Sequence, residues 1–561
     1  MSTDDAAVPL DMLLTEGARG PWRRLLPGGP AVRLAASLAT RPATLARRGA
    51  GLVTELGKIG LGTSTVAAPE RDPRYADPAW TSNPVLRRLA QAHTAAGETA
   101  LDLVEDAGLD PADCEQVRHA VATAAELLAP ATNPLFNPLA WRAAARTGGR
   151  SVVDGLRRAA GDLGTSPRVP AAADLTPGED VAATPGAVVY RTEMVELVQY
   201  LPRDREVRDV PVLVVPPFAN RFYLADLAPD RSLVEHLVRA DQQVFALSWR
   251  NPGAEHAEWG LDAYAQALLD AMDACERICR VDRTVLLGVS TGGLLVTAVL
   301  AHLAAREERE RVAGLVLVGT VLDRAHARTG PTAGHPVDDR VARASVAASA
   351  RRGYVDGSRL AELLAWLSPD ELFWPGWAHG YLQGEEPAPD PLRYWNADAT
   401  RVPAALHRDL VALALDNALA GPGRLTLLGT PLDLSRVRTD VYAVAGVGDR
   451  FTAWQAAYRT SQLVGGKTRF VLATGGNAAA LATPPGSTRA AYRVAGAVSA
   501  GHPVDAERWR SAGHVEPGSW WPDLVEWLAE HTGEVRDAPP ELGGRGLHAV
   551  YPAPGTYVVE R

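Results

Sequence analysis

The chain has 561 residues and a formal net charge of −9, from 57 lysine and arginine residues against 66 aspartate and glutamate residues. A hydrophobic fraction of 47% excludes an intrinsically disordered chain and is ample for a large folded core. Basic residues are spread along the chain, so no basic stripe indicates a nucleic-acid-binding surface.

Targeting and redox features indicate a cytoplasmic protein. The first residues lack a signal-peptide pattern, and three cysteines are too few for a disulfide framework in a chain of this length. The uncharged stretch from Thr284 to Ala301 approaches the length of a membrane span. Because glycine and serine interrupt its middle, it predicts a buried strand, a tight turn and a helix, and we expect no transmembrane segment. Cys275 and Cys279 stand at helical spacing and are expected to be buried thiols.

The N-terminal part of the chain is predicted to be helical. Residues 1–65 have weak helical periodicity, and whether they are ordered stays open. Residues 80–165 carry apolar residues every three or four positions, for example over 84–93 and 114–128, which indicates amphipathic helices. The polar, proline-rich stretch 166–185 has the composition of a linker. We therefore expect a mostly helical domain with its linker over residues 1–185.

Short apolar strands alternate with helical segments from about residue 190 onward. The strands are predicted at 212–215, 244–248, 284–287, 314–318, 441–445 and 469–472. This alternation favours a mostly parallel α/β sheet within residues 186–561. A helical, aromatic-rich insertion at about 322–430 is expected to cap the carboxyl ends of the strands, where ligands bind in such sheets. Its aromatic side chains are expected either to line an acyl tunnel or to pack the cap.

The motif Gly288-Val-Ser-Thr-Gly-Gly293 follows one of these strands and opens a helix. That context is typical of a nucleophile elbow, in which small residues let the strand and the helix approach closely. We predict that Ser290 occupies the nucleophile position. Oxyanion-stabilising N–H groups are expected from Thr291 and from Phe218, which lies in the loop after the first predicted strand.

An acid and a histidine are expected to follow the nucleophile in chain order. Asp449 ends a late strand and is predicted to be the acid. Asn477 stands after the last core strand, where the base is expected. An asparagine side chain cannot accept and return a proton near neutral pH, so the predicted site lacks its general base.

Several sequence blocks resemble the polyhydroxyalkanoate synthase family, most of all the type that polymerises medium-chain 3-hydroxyacyl-CoA. They include PPFANRFYLAD (216–226) and SWRNP (248–252). One further block lies earlier, at 74–80, and four lie later, at 395–407, 429–434, 518–521 and 554–558. The resemblance implies an α/β-hydrolase fold with a helical cap, behind a helical N-terminal domain.

The resemblance also implies a mechanism. A cysteine at the elbow, activated by a histidine that an aspartate orients, takes the acyl group from 3-hydroxyacyl-CoA and passes it to the hydroxyl of a growing polyester. No metal or redox cofactor is implied, and the family's self-association implies a homodimer or a heterodimer with an active synthase. Position by position, the cysteine falls on Ser290, the aspartate on Asp449 and the histidine on Asn477. A second family histidine, directly after the aspartate, falls on Arg450.

Three functions stay open on these residues. The favoured one is an impaired synthase homologue that binds 3-hydroxyacyl-CoA, polyester granules or an active synthase, in the cytoplasm or at the granule. The others are a synthase that uses Ser290 and a hydrolase of thioesters or polyesters. A substitute base is sought among the downstream histidines His502 and His514, but neither is placed by its spacing beside Ser290, and His514 is expected to be structural.

Overall fold

The structure is a computed structural model that describes residues 28–67, 73–75, 77–162, 175–323, 339–367, 374–385, 389–449, 453–488, 490–495 and 505–561. These residues fall into two compact units. The helical unit is drawn from 28–162 and 374–385, and the sheet unit from 175–367 and 389–561. Residues 1–27 and residues 166–174 of the predicted linker lie outside the described residues, and the predicted domain ranges stay predictions.

The helical unit is built from amphipathic helices, and four of those described begin with proline. The side chain of Asn83 accepts hydrogen bonds from the N–H groups of Val85 and Leu86, and Pro84 supplies the fixed φ that suits a first helical turn. The helical unit has a small hydrophobic core, formed by Tyr75, Trp80, Leu86, Ala90 and Ala131. The helices are α1 (Gly28–Ala39), α2 (Pro42–Leu61), α3 (Ala79–Ser82), α4 (Pro84–Asp106), α5 (Pro111–Leu127), α6 (Pro138–Thr147) and α7 (Arg150–Asp162).

A segment from much later in the chain completes the helical unit. It forms a short helix, Trp374–Trp377, that continues into the π-helical turn Ala378–Leu382. The indole N–H of Trp377 donates to the carbonyl of Thr132 at 3.0 Å. A Cβ atom on Gly155 would clash with the carbonyl oxygen of Tyr381, so α7 and this segment lie in direct backbone contact. The guanidinium of Arg146 pairs with Glu385.

One large sheet organises the sheet unit. Its strands are β1 (Gly186–Arg191), β2 (Val195–Tyr200), β3 (Val212–Val215), β4 (Val244–Trp249), β5 (Thr284–Val289), β6 (Val312–Val318), β7 (Val441–Gly446), β8 (Thr468–Ala473), β9 (Ala491–Val494), β10 (His514–Pro517) and β11 (Tyr551–Pro552). Their order across the sheet is β10-β9-β8-β7-β6-β5-β3-β4-β2-β1-β11.

The centre of this sheet is parallel and its edges are antiparallel. Strands β8, β7, β6, β5, β3 and β4 pair in parallel, which confirms the predicted α/β sheet and its six core strands. Strands β2, β1 and β11 extend one edge, and β9 and β10 extend the other. Every residue of β3 and β5 is buried, as expected for parallel strands covered on both faces.

Helices connect the strands of the sheet unit, and the helix Thr291–Ala305 is buried along nearly its whole length. The helices are α8 (Leu233–Arg239), α9 (Leu261–Cys279), α10 (Thr291–Ala305), α11 (Asp339–Arg352), α12 (Gly357–Leu367), α13 (Pro391–Ala397), α14 (Ala404–Asp416), α15 (Trp454–Tyr458), α16 (Thr460–Leu463), α17 (Asn477–Leu481), α18 (Ala506–Ala512) and α19 (Trp521–His531). Within the described ranges, no helix combines the length and apolar character that a membrane crossing requires.

The helical insertion lies between β6 and β7, and its described part within the sheet unit contains α11 to α14. The imidazole of His407 in α14 is fully buried, and its Nδ1 atom lies 2.7 Å from the hydroxyl of Ser349 in α11. Trp395 in α13 is buried and donates its indole N–H to the carbonyl of Arg221 at 2.9 Å. His407 therefore joins two insertion helices to each other, and Trp395 joins the insertion to the loop after β3.

The last residues of the chain form a turn, Tyr557–Val559, that we call the C-terminal turn. The buried carboxylate of Glu196 in β2 accepts hydrogen bonds from the N–H groups of Thr556 and Tyr557, each at 2.9 Å. The guanidinium of Arg221 donates to the carbonyl of Tyr557 at 2.6 Å. Because Arg221 belongs to the loop after β3, the C-terminal turn is tied to that loop.

Candidate active site

Ser290 lies at the turn between β5 and α10, as the motif predicts. Its backbone has φ 52° and ψ −114°, a region that non-glycine residues rarely adopt. The N–H of Ser290 donates to the carbonyl of Val318 in β6 at 2.8 Å, which fixes the turn against the neighbouring strand. Holding such a conformation costs about 1–3 kcal/mol, and strain of this kind clusters at functional sites.

Glycines around Ser290 permit a very close approach of backbone to backbone. A Cβ atom on Gly288 would clash with the backbone of Gly293. A Cβ on Gly292 would clash with the carbonyl of Pro216, and one on Gly293 with the side chain of Thr320. The N-terminal end of α10 therefore sits directly against the loop that follows β3.

The loop after β3, residues 216–221, presents Phe218 to the first residue of α10. The N–H of Phe218 donates to the side-chain oxygen Oγ1 of Thr291 at 3.1 Å. Thr400 holds the same loop in place, since its N–H donates to the carbonyl of Ala219 at 2.9 Å and its hydroxyl to the carbonyl of Phe218 at 3.3 Å. The structure thus brings the two predicted oxyanion residues into contact.

Asp449 follows β7, and Asn477 is the first residue of α17 after β8. The side chain of Asp449 is buried. The N–H of Gly448 donates to the carbonyl of Gly475 at 2.9 Å, so the loops that carry Asp449 and Asn477 run side by side. Both loops follow parallel strands and therefore leave the sheet at the same edge as the turn of Ser290. Arg450 lies outside the described residues.

Two described histidines, His514 and His407, contact groups away from the elbow. His514 lies on the edge strand β10, where its Nε2 atom is 3.3 Å from a carboxylate oxygen of Glu516 and its side chain is 62% exposed. His407 packs between the insertion helices α11 and α14. His502 falls outside the described residues. Neither the contact of His514 with Glu516 nor that of His407 with Ser349 involves Ser290.

The cysteines of α9 are core thiols. Cys275 and Cys279 are both buried, as their helical spacing predicts. Desolvation raises the pKa of both thiols, that of Cys279 to about 12, so neither forms a thiolate near neutral pH. In the part of the chain that the structure describes, no cluster of three His, Cys, Asp or Glu side chains forms a metal-binding group.

Comparison with known proteins places the chain in a family. A model described as the poly-beta-hydroxybutyrate polymerase (PhaC) N-terminus matches residues 71–237, and a model of the α/β-hydrolase fold matches residues 210–481. Poly(3-hydroxyalkanoate) polymerase 1 of Ectopseudomonas oleovorans is 38% identical over 510 residues, which cover 90% of each chain. The PhaC subunit of the polymerase of Cupriavidus necator is 34% identical over 506 residues, 89% of this chain and 84% of that one. The chain therefore belongs to the polyhydroxyalkanoate synthase family and carries its α/β-hydrolase fold.

Proposed function

We propose that this chain is a catalytically impaired polyhydroxyalkanoate synthase homologue that acts as an accessory protein. The observation that carries the proposal is the pair of residues at the positions where the family mechanism needs a thiol and an imidazole. Ser290 stands at the elbow, and Asn477 opens the helix after β8. Asp449, in the loop beside that of Asn477, keeps the acidic residue.

The two changes reinforce each other. A free thiol has a pKa of about 8.5, so a fraction is ionised at neutral pH even without a base. A serine hydroxyl has no comparable ionised fraction and depends on a base to remove its proton. Loss of an essential triad member in serine proteases lowers the rate by roughly 10⁴- to 10⁶-fold. A serine at the elbow without a histidine is therefore expected to transfer acyl groups very slowly.

The parts of the site that do not move protons support a retained binding role. The turn at Ser290 is strained, α10 contacts the loop after β3 closely, and Asp449 is buried, so the site has a defined shape. We infer that the chain binds 3-hydroxyacyl-CoA or the end of a polyester chain, at the granule or together with an active synthase in a heterodimer. The sequence blocks shared with the family support this inference.

One observation favours a different reading, in which Ser290 still reacts. Backbone strain at φ 52° persists at Ser290 even though the histidine is replaced. Strained conformations are costly and are often retained where chemistry occurs. The alternative function is therefore a slow, Ser290-dependent synthase or a hydrolase of thioesters or polyesters.

A turnover assay separates these functions. The purified full-length chain is incubated with 3-hydroxyacyl-CoA, and CoA release and polymer are followed, with Ser290→Ala as the control. We expect no CoA release above that of the control. Release that depends on Ser290 would contradict the proposal, and the appearance of polymer or of free hydroxy acid would then distinguish a synthase from a hydrolase.

Restoring the family residues tests whether only the proton-moving groups are lost. Ser290→Cys combined with Asn477→His is expected to give CoA release at least 100-fold above either single variant, because nucleophile and base act as a unit. The two single variants are the matched controls. Activity in neither the double variant nor the original chain would mean that the site is degraded beyond these two residues.

A further inference from the structure

We propose that the hydroxyl of Thr291 closes the oxyanion position of the elbow and acts as a gate on acyl transfer. The inference rests on the proposed function, because it takes the backbone N–H groups of Thr291 and Phe218 as the oxyanion donors. It assigns control of acyl transfer to one side chain, at a site where Ser290 and Asn477 stand at the positions of the family's cysteine and histidine.

The geometry of the contact carries the proposal. An oxyanion-hole donor acts on an oxygen atom at about 2.7–3.1 Å. The Oγ1 atom of Thr291 lies 3.1 Å from the backbone nitrogen of Phe218 and accepts its N–H. A side-chain oxygen thus already holds the place that the carbonyl oxygen of an acyl group would take against this donor.

Both backbones at this contact are fixed, which leaves the side chain of Thr291 as the part that moves. The loop that carries Phe218 is held by two hydrogen bonds from Thr400, which is itself buried. On the other side, Gly292 places the start of α10 directly against the carbonyl of Pro216. An acyl carbonyl can therefore reach the N–H of Phe218 only after χ1 of Thr291 rotates.

Opening the gate has a modest and measurable cost. It breaks one neutral hydrogen bond, whose net contribution of about 1 kcal/mol corresponds to a factor of about five. The gate is thus expected to slow attack on a carbonyl about fivefold. The gate is expected not to change the rate of a reaction of the same nucleophile in which no charge develops on a carbonyl oxygen.

The test compares two reactions of one thiol. In a Ser290→Cys background, the thiolate attacks the carbonyl carbon of p-nitrophenyl acetate, electrons pass to the carbonyl oxygen, and p-nitrophenolate leaves as the sulfur–acyl bond forms. The same thiolate displaces iodide from iodoacetamide without any oxyanion. Both rates are measured at pH 8, so their ratio cancels the thiolate fraction and reports the carbonyl step.

Three substitutions at Thr291 separate the hydroxyl from its bulk. Thr291→Ala removes the acceptor and its volume, and we expect the ratio of acylation to alkylation to rise about fivefold. Thr291→Val keeps the volume but also lacks the acceptor, so its ratio is expected to rise as in Thr291→Ala, whereas Thr291→Ser keeps the hydroxyl and is expected to stay within twofold of the parent. A ratio that falls or stays constant in Thr291→Ala or Thr291→Val, or that rises equally in all three, would overturn the gate.

The experiment gives its answer whether or not the original chain is active. The thiols of Cys275 and Cys279 contribute little background, because burial raises the pKa of each, and Cys114→Ser removes the remaining thiol. A shifted ratio together with a failed rescue by Ser290→Cys and Asn477→His would support the gate and contradict the simple loss of two residues. An unchanged ratio with a successful rescue would contradict the gate and support the simple loss of two residues.

Discussion

Single residues decide how closely the backbones meet at the elbow. Gly288 and Gly293 bring the end of β5 and the first turn of α10 nearer than any side chain allows. The positive φ of Ser290 depends on this approach, because the turn has no room to relax into an ordinary conformation. The reactive position is therefore specified as much by its glycines as by the serine itself.

Gly288→Ala is expected to destabilise the sheet unit. Its Cβ would overlap the backbone of Gly293, and overpacking of this kind costs about 1–3 kcal/mol. Calorimetry should show a lower melting midpoint for this unit. Gly57→Ala in α2 is the control, since no atom lies within 4 Å of its added Cβ and alanine favours a helix by about 0.5–1 kcal/mol. Equal midpoints for Gly288→Ala and the original chain would show that β5 and α10 are not so close.

Residues whose role is local could be predicted from the sequence, and residues whose role depends on distant contacts could not. The elbow at Ser290 follows from a short motif between a strand and a helix. The contact of Phe218 with Thr291 joins residues far apart in the chain, and nothing in either local sequence indicates that a side-chain oxygen meets the backbone N–H. The roles of Asp449 and Asn477 stay predictions.

At the scale of elements, the six parallel strands were predicted because each is a continuous apolar run. Strand β2 shows why the edges were missed. It reads Val-Glu-Leu-Val-Gln-Tyr and is buried throughout, although Glu196 and Gln199 are polar. The partners that satisfy these two side chains lie near residues 543–557, more than 300 positions along the chain. Burial of a polar strand can only be recognised once those partners are known.

Glu196→Gln is expected to loosen the C-terminal turn. The carboxylate accepts hydrogen bonds from two backbone N–H groups, and bonds to a charged group contribute about 1.5–3 kcal/mol. Urea unfolding should show a loss of about 2 kcal/mol, and protease should cleave the turn faster. Glu560→Gln is the control, because the Glu560 carboxylate pairs with Arg250 nearer the surface, where such pairs contribute about 0–1 kcal/mol. Similar losses in both variants would show that Glu196 is not the anchor of the turn.

At the scale of the molecule, compact units do not coincide with continuous stretches of sequence. Residues 374–385 lie within the insertion between β6 and β7, yet they pack in the helical unit through Trp377 and Tyr381. The sequence places them in the cap because position along the chain is the only guide it offers. Aromatic composition does not reveal which core a side chain joins.

A fragment of residues 1–173 is expected to be incomplete as a folding unit. It lacks the segment that contacts α7 and the carbonyl of Thr132, so it should melt at a lower temperature than the same fragment with residues 368–388 joined by a flexible linker. Circular dichroism at increasing temperature measures the difference. A joined segment in which Trp377 is replaced by alanine is the matched control. Identical melting of all three would mean that the helical unit is complete without this segment.

The late segment of the helical unit also bears on how the chain folds while it is being made. Residue 162 leaves the ribosome about 200 residues before Trp374, an interval of about 10–40 s at ordinary rates of synthesis. The backbone contact at Gly155 stays open throughout that interval, and strands β1 to β6 are all synthesised within it. The helical unit is thus completed only after most of the parallel sheet has been synthesised, and the surface of α7 at Gly155 stays uncovered in the nascent chain until then.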